Sequence, residues 1–300
     1  MLCIVVAALL TSGSTARRLA QAALPQEAKT ISGSKISISR VDVDEGVSDE
    51  IRIELLAGVP KAVHTSQYGG DQPRILIYHT HTTEAYTQTE TYTYRETSRW
   101  RTNEQDKGIV AVGALLAKIL REEYGCNVIH DTTDHEPPKL ATSYSRSVKT
   151  MEAYQEKYPS ITLFIDVHRD AGQEQRYVTI DGKQVARMMF VVGTGEGATG
   201  TGFAQMPDFE SNYALAHAVT EQLAAVNESL TRNIRVKTGR YNQHISNECL
   251  LLEVGDNRNT LEQALNAVPY FARALMESVQ RGAEEMPASD PTPGLLWTPQ

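Results

Sequence analysis

Two patterns of apolar positions divide the chain near residue 73. Between residues 34 and 56, apolar and polar side chains alternate around a turn at Asp44-Glu45-Gly46, which predicts a small β unit. A polar, Gly-rich stretch follows and ends at residue 72, where we place a domain boundary. We therefore assign residues 31–72 to the β unit with its linker, and residues 73–282 to the main domain.

In the main domain, segments with the pattern of strands alternate with segments with the pattern of helices. Short apolar runs, typical of strands buried on both faces, occupy residues 74–78, 126–129, 161–167 and 250–254. Helices are predicted at residues 109–120, 144–158, 215–230 and 259–281. Two further strands, residues 177–180 and 185–192, flank the turn signal Asp181-Gly182. This alternation predicts an α/β three-layer sandwich, with a central, mostly parallel mixed sheet and helices on both faces.

The two ends of the chain differ from the domain. Residues 1–30 open with ten apolar residues, followed by Arg17, Arg18 and a weak cleavage pattern at Ala20-Gln21-Ala22. The apolar run is too short to span a bilayer, so it is compatible with a signal peptide, the stub of a membrane anchor or a disordered terminus. Residues 283–300 are rich in proline and form a predicted tail.

Composition excludes several classes of protein. The 300 residues carry a net charge of −8, which argues against binding the phosphate backbone of nucleic acid. No run of about 20 apolar residues is present. Cys126 and Cys249 lie in apolar runs without a C-x-x-C pair, which predicts buried core residues rather than a disulfide framework.

Histidines and carboxylates follow the predicted strands, where parallel sheets bind their ligands. His81-x-x-Glu84 comes after the first strand, His168 ends the central strand and Glu253 lies in the last. Two His and one Glu form a common ligand set of catalytic zinc sites, with a fourth position left for water. This layout predicts a mononuclear zinc hydrolase, with His79 as an alternative ligand or an outer partner.

Glu253 lies in a buried apolar strand, where an isolated carboxylate costs several kcal/mol. Proximity to an activated water offsets that cost if Glu253 acts as general base and acid. The alternative is an ion pair with an arginine such as Arg240. Capping, loop or solvent-exposed roles are expected for the remaining candidates, Asp166, His130, His135, His217 and His244. The motifs H-E-x-x-H, G-x-S-x-G and Walker A are absent from the sequence.

Several motifs, in order, resemble the stage II sporulation protein P family. They are Ile75-Leu-Ile-Tyr-His-Thr-His-Thr-Thr-Glu84, Ile165-Asp-Val-His-Arg-Asp-Ala171, Arg240-Tyr-Asn-Gln243, and Leu251-Leu-Glu-Val-Gly255 with Asn259-Thr-Leu-Glu262. The resemblance covers about residues 73–282. It departs at residues 244–249, which are more polar here than is usual in the family.

The resemblance implies a zinc N-acetylmuramoyl-L-alanine amidase that frees stem peptides from glycan, with a second, endopeptidase activity on peptidoglycan cross-links. His81, His168 and Glu253 match the two histidines and the late glutamate of these amidases. The third ligand is Glu84 by analogy with carboxypeptidase-like enzymes, or Glu104 by analogy with amidases, and we favour Glu84. Arg169, Arg240 and Gln243 are candidates for contacting a substrate carboxylate or the oxyanion.

The resemblance also implies a biological setting. Septal wall degradation and engulfment during sporulation are expected, with a lytic transglycosylase and a membrane scaffold protein as partners. The catalytic domain is expected at the extracytoplasmic face of the membrane, tethered through an N-terminal segment. Two alternatives remain open: a carboxypeptidase-type zinc peptidase, and a wall-binding module without turnover.

Overall fold

The computed structural model describes residues 66–136, 139–172, 176–199 and 202–285, with side chains up to residue 280. The predicted small β unit, the apolar N-terminal segment and the tail beyond residue 285 lie outside these residues. Within the described part, no helix is long and apolar enough to cross a membrane.

The described residues form an α/β domain. Its strands are β1 Ile75–Tyr78, β2 Val128–His130, β3 Leu163–Asp170, β4 Tyr177–Ile180, β5 Lys183–Ala186, β6 Met188–Gly193, β7 Arg235–Lys237 and β8 Glu248–Asp256. Its helices are α1 Ile109–Tyr124, α2 Ser143–Lys157, α3 Phe209–Val226 and α4 Leu261–Glu285. Among the described strands, six form one sheet in the order β2-β1-β3-β8-β6-β7, and β4 pairs with β5 in a hairpin.

The main sheet is mixed and mostly parallel, as predicted. Strands β2, β1, β3 and β8 run parallel to one another, whereas β6 is antiparallel to β8 and parallel to β7. The carboxyl ends of β1, β3 and β8 therefore meet at one edge of the sheet, which is where parallel sheets bind their ligands.

Two segments depart from the sequence-based prediction. The predicted strand 185–192 is two strands, because the chain leaves the hairpin at Arg187 and enters the main sheet. The Arg187 N–H donates to Arg176 O, next to the β4–β5 hairpin, and the Arg187 carbonyl accepts from Gly255 N of β8 in the main sheet. Arg187 is therefore bonded to both sheets. Strand β7 was not predicted, because its three residues, Arg-Val-Lys, carry no apolar run and form an edge of the sheet.

The core lies mainly on one face of the sheet. Apolar side chains of α1, α3 and α4 pack there against alternate residues of the strands, including Ile77, Ile165 and Leu252. Helix α2 covers part of the opposite face through Met151, which packs with Leu76 and Phe164. We call this second face the α2 face. The predicted helices on both faces of the sheet are therefore confirmed, and both described cysteines are buried free thiols.

The packing extends upstream of residue 73. Tyr68 is buried in the main core, and its hydroxyl donates to Glu248 Oε1 over 3.1 Å. Its carbonyl accepts from Asn127 N, next to β2. The folded unit thus includes the residues directly before β1.

Candidate functional site

The site lies on the α2 face, at the carboxyl ends of β1, β3 and β8. Strand alternation places Asp166 and His168 on this face, because Phe164 of the same strand packs there. The parallel register of β3 and β8 sets His168 directly beside Glu253. The segment after β1 brings His81 and Glu84 to the same place.

Three rings pack together at the centre of the site. The imidazoles of His81 and His168 meet edge to face, with centroids 5.2 Å apart. Tyr144 of α2 contacts both rings, edge-on to His81 at 5.6 Å and nearly parallel to His168 at 6.5 Å. Ser143 Oγ lies 3.2 Å from His81 Nδ1, so the second ring nitrogen of His81 is the one left for a ligand.

Glu84 reaches the site from a tight turn. Its backbone N–H donates to His81 O over 3.2 Å, and its own carbonyl accepts from Ile109 N at the start of α1. The carboxylate accepts from Arg169 N at 3.1 Å and pairs with the Arg169 guanidinium at 3.4 Å. Its Oε2 also lies 3.6 Å from His168 Nδ1. The predicted pair His81 and Glu84 is therefore joined to His168 in one cluster.

Asp166 is part of the cluster, and the loop or solvent-exposed role expected for it is wrong, because it lies buried within β3. The residue is 1% exposed, and its Oδ1 lies 2.8 Å from His168 Nε2, although the ring N–H does not point along that line. Thr80 holds the carboxylate through its N–H at 2.8 Å and its hydroxyl at 2.6 Å. The i, i+2 spacing of Asp166 and His168 in a strand was a signal that could have identified this pair.

The cluster is electrically polarised. Burial lowers the pKa of His81 to about 4, so this imidazole is neutral near neutral pH. Burial also opposes the charge of His168, but Asp166 and Glu84 outweigh it and raise the pKa of His168 well above its usual value. For Glu84, burial is outweighed by Arg169 and His168, which lower its pKa to about 2. The two carboxylates thus favour the protonated form of His168.

Glu253 differs from the other acids of the site. Its Oε2 is buried and has no hydrogen-bond partner among the described residues. Burial raises the pKa of Glu253 to about 8, against the opposing charge of His168. The alternative pairing with Arg240 does not occur, since that guanidinium donates instead to Gly202 O and Gln205 O at 3.0 and 3.2 Å. Glu253 is left as an unpaired acid beside the histidines.

The donor set fits a zinc ion in its chemistry and in one distance. Two ligand atoms on a tetrahedral zinc lie about 3.4 Å apart, given ligand bonds of about 2.0–2.2 Å, and His168 Nδ1 and Glu84 Oε2 are 3.6 Å apart. The carboxylate of Asp166 at the other ring nitrogen matches the usual outer partner of a metal-bound histidine. Within the described residues, no three ligating side chains already surround one point.

Two predicted alternatives for a ligand lie elsewhere. His79 points to the core side of the sheet, where its Nδ1 is 3.0 Å from Val167 O and its Nε2 is 3.0 Å from His130 Nε2. Glu104 is exposed, and its Oε1 accepts from Arg95 N over 2.7 Å. The structure therefore brings Glu84, and neither of these residues, into contact with His168.

The candidates for substrate contact are engaged in contacts within the protein. Arg169 donates to Ala85 O and Trp100 O, in addition to Glu84, and is 7% exposed. Gln243 is 2% exposed and bonds to the backbone at the carboxyl end of β6. Its side chain accepts from Gly193 N at 2.7 Å and donates to Val191 O at 2.9 Å. These contacts position the loops around the site.

Two tyrosines at the site were not identified from the sequence. Tyr144 contacts both histidines, and Tyr241 meets Tyr144 edge to face with centroids 5.6 Å apart. Tyr241 has a positive φ of 49°, which is uncommon for a bulky residue. Neither tyrosine has a distinctive spacing from the histidines, because each comes from a different loop or helix, so the sequence carried no signal for them.

The fold resembles solved N-acetylmuramoyl-L-alanine amidases at low similarity. AmiC2 of Nostoc punctiforme aligns with a TM-score of 0.43 and 15% identity, over 71% of this chain and 100% of that chain. The CwlD amidase of Clostridioides difficile, solved in complex with the GerS lipoprotein, aligns with a TM-score of 0.44 and 12% identity, over 69% and 99%. Similarity at this level is too low to carry an argument about activity.

Sequence similarity is more specific. The stage II sporulation protein P of Bacillus subtilis (strain 168) is 28% identical over 223 residues, which cover 70% of this chain and 52% of that protein. The chain thus spans about half the length of the curated relative that it matches. A family comparison matches residues 16–276 to stage II sporulation protein P, which is most of the chain and includes every residue of the site. The chain therefore belongs to the stage II sporulation protein P family.

Proposed function

We propose that this chain is a zinc-dependent peptidoglycan hydrolase, an N-acetylmuramoyl-L-alanine amidase that also has endopeptidase activity. The observation that carries the proposal is the position of Glu253. Its unpartnered Oε2 lies beside His168 on the α2 face, next to the donor set His81, Glu84 and His168. Family membership supports a role in sporulation.

In this proposal, His81, Glu84 and His168 hold the zinc ion. The neutral His81 already has the protonation state of a ligand, because burial lowers its pKa. Asp166 orients His168 from the far side of its ring, and Arg169 holds Glu84 in place. Held by these three residues, a zinc ion would supply Lewis acidity to the substrate carbonyl and to a water molecule.

Glu253 transfers the proton. The raised pKa of about 8 shows how strongly its surroundings favour the protonated form, and a nearby zinc ion would bring that pKa down towards neutrality. A carboxylate with a pKa near the working pH accepts a proton from water and later delivers it to the leaving amine. Tyr144 packs on His168, and Tyr241 packs on Tyr144. In this proposal, the substrate packs against these two tyrosine rings.

The biological setting is proposed on the same basis. The substrate is the septal wall during engulfment, and the catalytic domain acts at the extracytoplasmic face of the membrane, tethered through an N-terminal segment. A lytic transglycosylase and a membrane scaffold protein are the proposed partners. These assignments follow from the family to which the chain belongs.

The test is product analysis on purified cell wall. An amidase releases intact stem peptides with a free N-terminal alanine, and an endopeptidase converts cross-linked muropeptides to monomers. A carboxypeptidase removes only a terminal residue, and a binding module pellets with the wall without product. We expect the first two products from zinc-loaded protein and none after chelation. Release of neither product by protein with bound zinc would overturn the proposal.

A further inference from the structure

Three arginines surround Asp170 at the end of β3. Arg232 Nη2 lies 2.8 Å from Asp170 Oδ2, and Arg235 approaches both oxygens at 3.3 and 3.4 Å. Arg176 Nη1 lies 3.8 Å from Asp170 and 3.8 Å from Asp256. We call Arg176, Arg232 and Arg235 the arginine cluster.

The register of the sheet places this cluster beside the candidate site. Strand β7 pairs Arg235 with Val191, and Val191 packs on the α2 face with Met189. Met189 in turn pairs with Glu253 across β6 and β8. Arg235 therefore lies on the same face as Glu253, on the side of Glu253 that is away from His168. Its guanidinium extends back across the sheet to Asp170.

Among the described residues, the cluster carries one more positive charge than the carboxylates it faces. Three guanidinium groups face two carboxylates, Asp170 and Asp256, within the described residues. Arg232 makes the shortest contact with Asp170 and its side chain is 13% exposed, whereas Arg235 donates one N–H from each terminal nitrogen to Asp170 and has three further N–H groups. The side chains of Arg235 and Arg176 are 40% and 34% exposed. Both therefore keep N–H groups available to an anion from solvent.

We propose that Arg235 and Arg176, positioned by Asp170, bind a free carboxylate in the peptide part of the substrate. This inference rests on the proposed peptidoglycan hydrolase function and specifies the substrate as an acidic stem peptide. Arginine suits this role because its planar fork matches a carboxylate with two parallel hydrogen bonds. Asp170 and Asp256 hold the arginines in place, which reduces the entropy lost on binding.

The distances fit a carboxylate near the cleaved bond. Asp170 is two residues beyond His168 on β3, across a β-bulge, which places it at most about 7 Å further along the strand. An extended peptide advances about 3.3–3.6 Å per residue, so a carboxylate one or two residues from the cleaved amide reaches the cluster. The peptide would then run from His168 across Glu253 towards Arg235.

The test uses a matched pair of synthetic muropeptides. They differ only at the second peptide residue, which carries either a free α-carboxylate or a carboxamide. We expect the wild-type protein to have a KM about tenfold lower for the acid, which corresponds to one charge-assisted contact. R235A should raise the KM for the acid about tenfold, leave kcat unchanged and have no effect on the amide. R235K should retain part of the preference, and R95A, at an exposed arginine outside the cluster, should have no effect.

A binding experiment separates this inference from the proposed function. Calorimetric titration of E253Q and of E253Q/R235A with the free stem peptide, as acid or amide, requires no turnover. E253Q should bind the acid more tightly than the amide, and E253Q/R235A should bind the two peptides equally. This result supports the subsite even if cleavage is not observed. Equal binding of acid and amide by E253Q, or an equal effect of R235A on both peptides, would overturn it and leave the arginines with a structural role.

Discussion

Glu253 lies directly opposite His168 in the parallel pairing of β3 and β8. Neighbouring strands are about 4.8 Å apart, so the acid and the imidazole project side by side from the α2 face. The relationship is enforced by backbone hydrogen bonds of two central strands, which hold it more rigidly than a loop would.

Replacing Glu253 by glutamine should abolish turnover without unfolding the protein. The amide has the same shape but does not accept the proton, and loss of a general base typically costs about 10²–10⁴-fold in rate. Release of dye from labelled wall and the thermal midpoint measure the two effects. E221Q, at an exposed acid of α3, is the control. A rate within tenfold of wild type for E253Q would exclude Glu253 as the base.

The pH dependence of stability should also report on Glu253. In metal-free protein, burial raises the pKa of this carboxyl from its usual range to about 8, so the folded state holds a proton that the unfolded state releases above about pH 4.5. The free energy of unfolding should therefore fall as pH rises from 5 to 8. E253Q does not titrate, so its stability relative to wild type should increase over that range. Urea denaturation after chelation measures this, and a constant difference would contradict it.

Zinc affinity should depend on His168 and its outer partner. H168A removes a proposed ligand and should lose the metal, whereas D166N should weaken binding by about 10–100-fold by removing the carboxylate that orients the ring. Competition with a chelator measures both affinities. H217A, at a half-exposed histidine of α3, should bind zinc like wild type. Full zinc occupancy in H168A would remove His168 from the ligand set.

Arg169 should be needed for stability. Its guanidinium is buried against Glu84 and donates to two backbone carbonyls. Removing one partner of a buried ion pair typically costs about 3–5 kcal/mol, so R169A should lower the free energy of unfolding by about that amount. R95A should change it by about 0.5 kcal/mol or less. An effect of R169A on KM alone, with unchanged urea midpoint, would instead indicate substrate contact.

Gln243 should behave as a structural clamp. Q243E keeps the shape but replaces the amide that donates to Val191 O by an oxygen that repels it. Loss of this buried hydrogen bond should lower the free energy of unfolding by about 1–3 kcal/mol. Chemical denaturation of the variant measures the loss. Wild-type stability combined with a raised KM would favour the substrate role expected from the sequence.

Much of the fold was predictable from local patterns. The buried strands β1, β3 and β8 have continuous apolar runs, and α1 and α4 have apolar residues at regular helical spacing. The local sequence of each of these elements therefore predicts that it is buried. Strand β7 does not, because an edge strand of three residues buries little. The split of residues 185–192 at Arg187 depends on hydrogen bonds to distant residues, Arg176 and Gly255, which a local pattern does not encode.

The sequence by itself identified four titratable residues of the candidate site and their location at strand ends, but not Asp166 or the two tyrosines. His81, Glu84, His168 and Glu253 were identified because parallel strands bring their carboxyl ends to one edge. Only the tertiary structure decided which side chains meet. Strand register paired Glu253 with His168, a turn brought Glu84 rather than Glu104 to the histidines, and alternation turned His79 to the opposite face. The physical reason is that side-chain direction follows from register and loop geometry, which depend on hydrogen bonds between residues far apart in the chain.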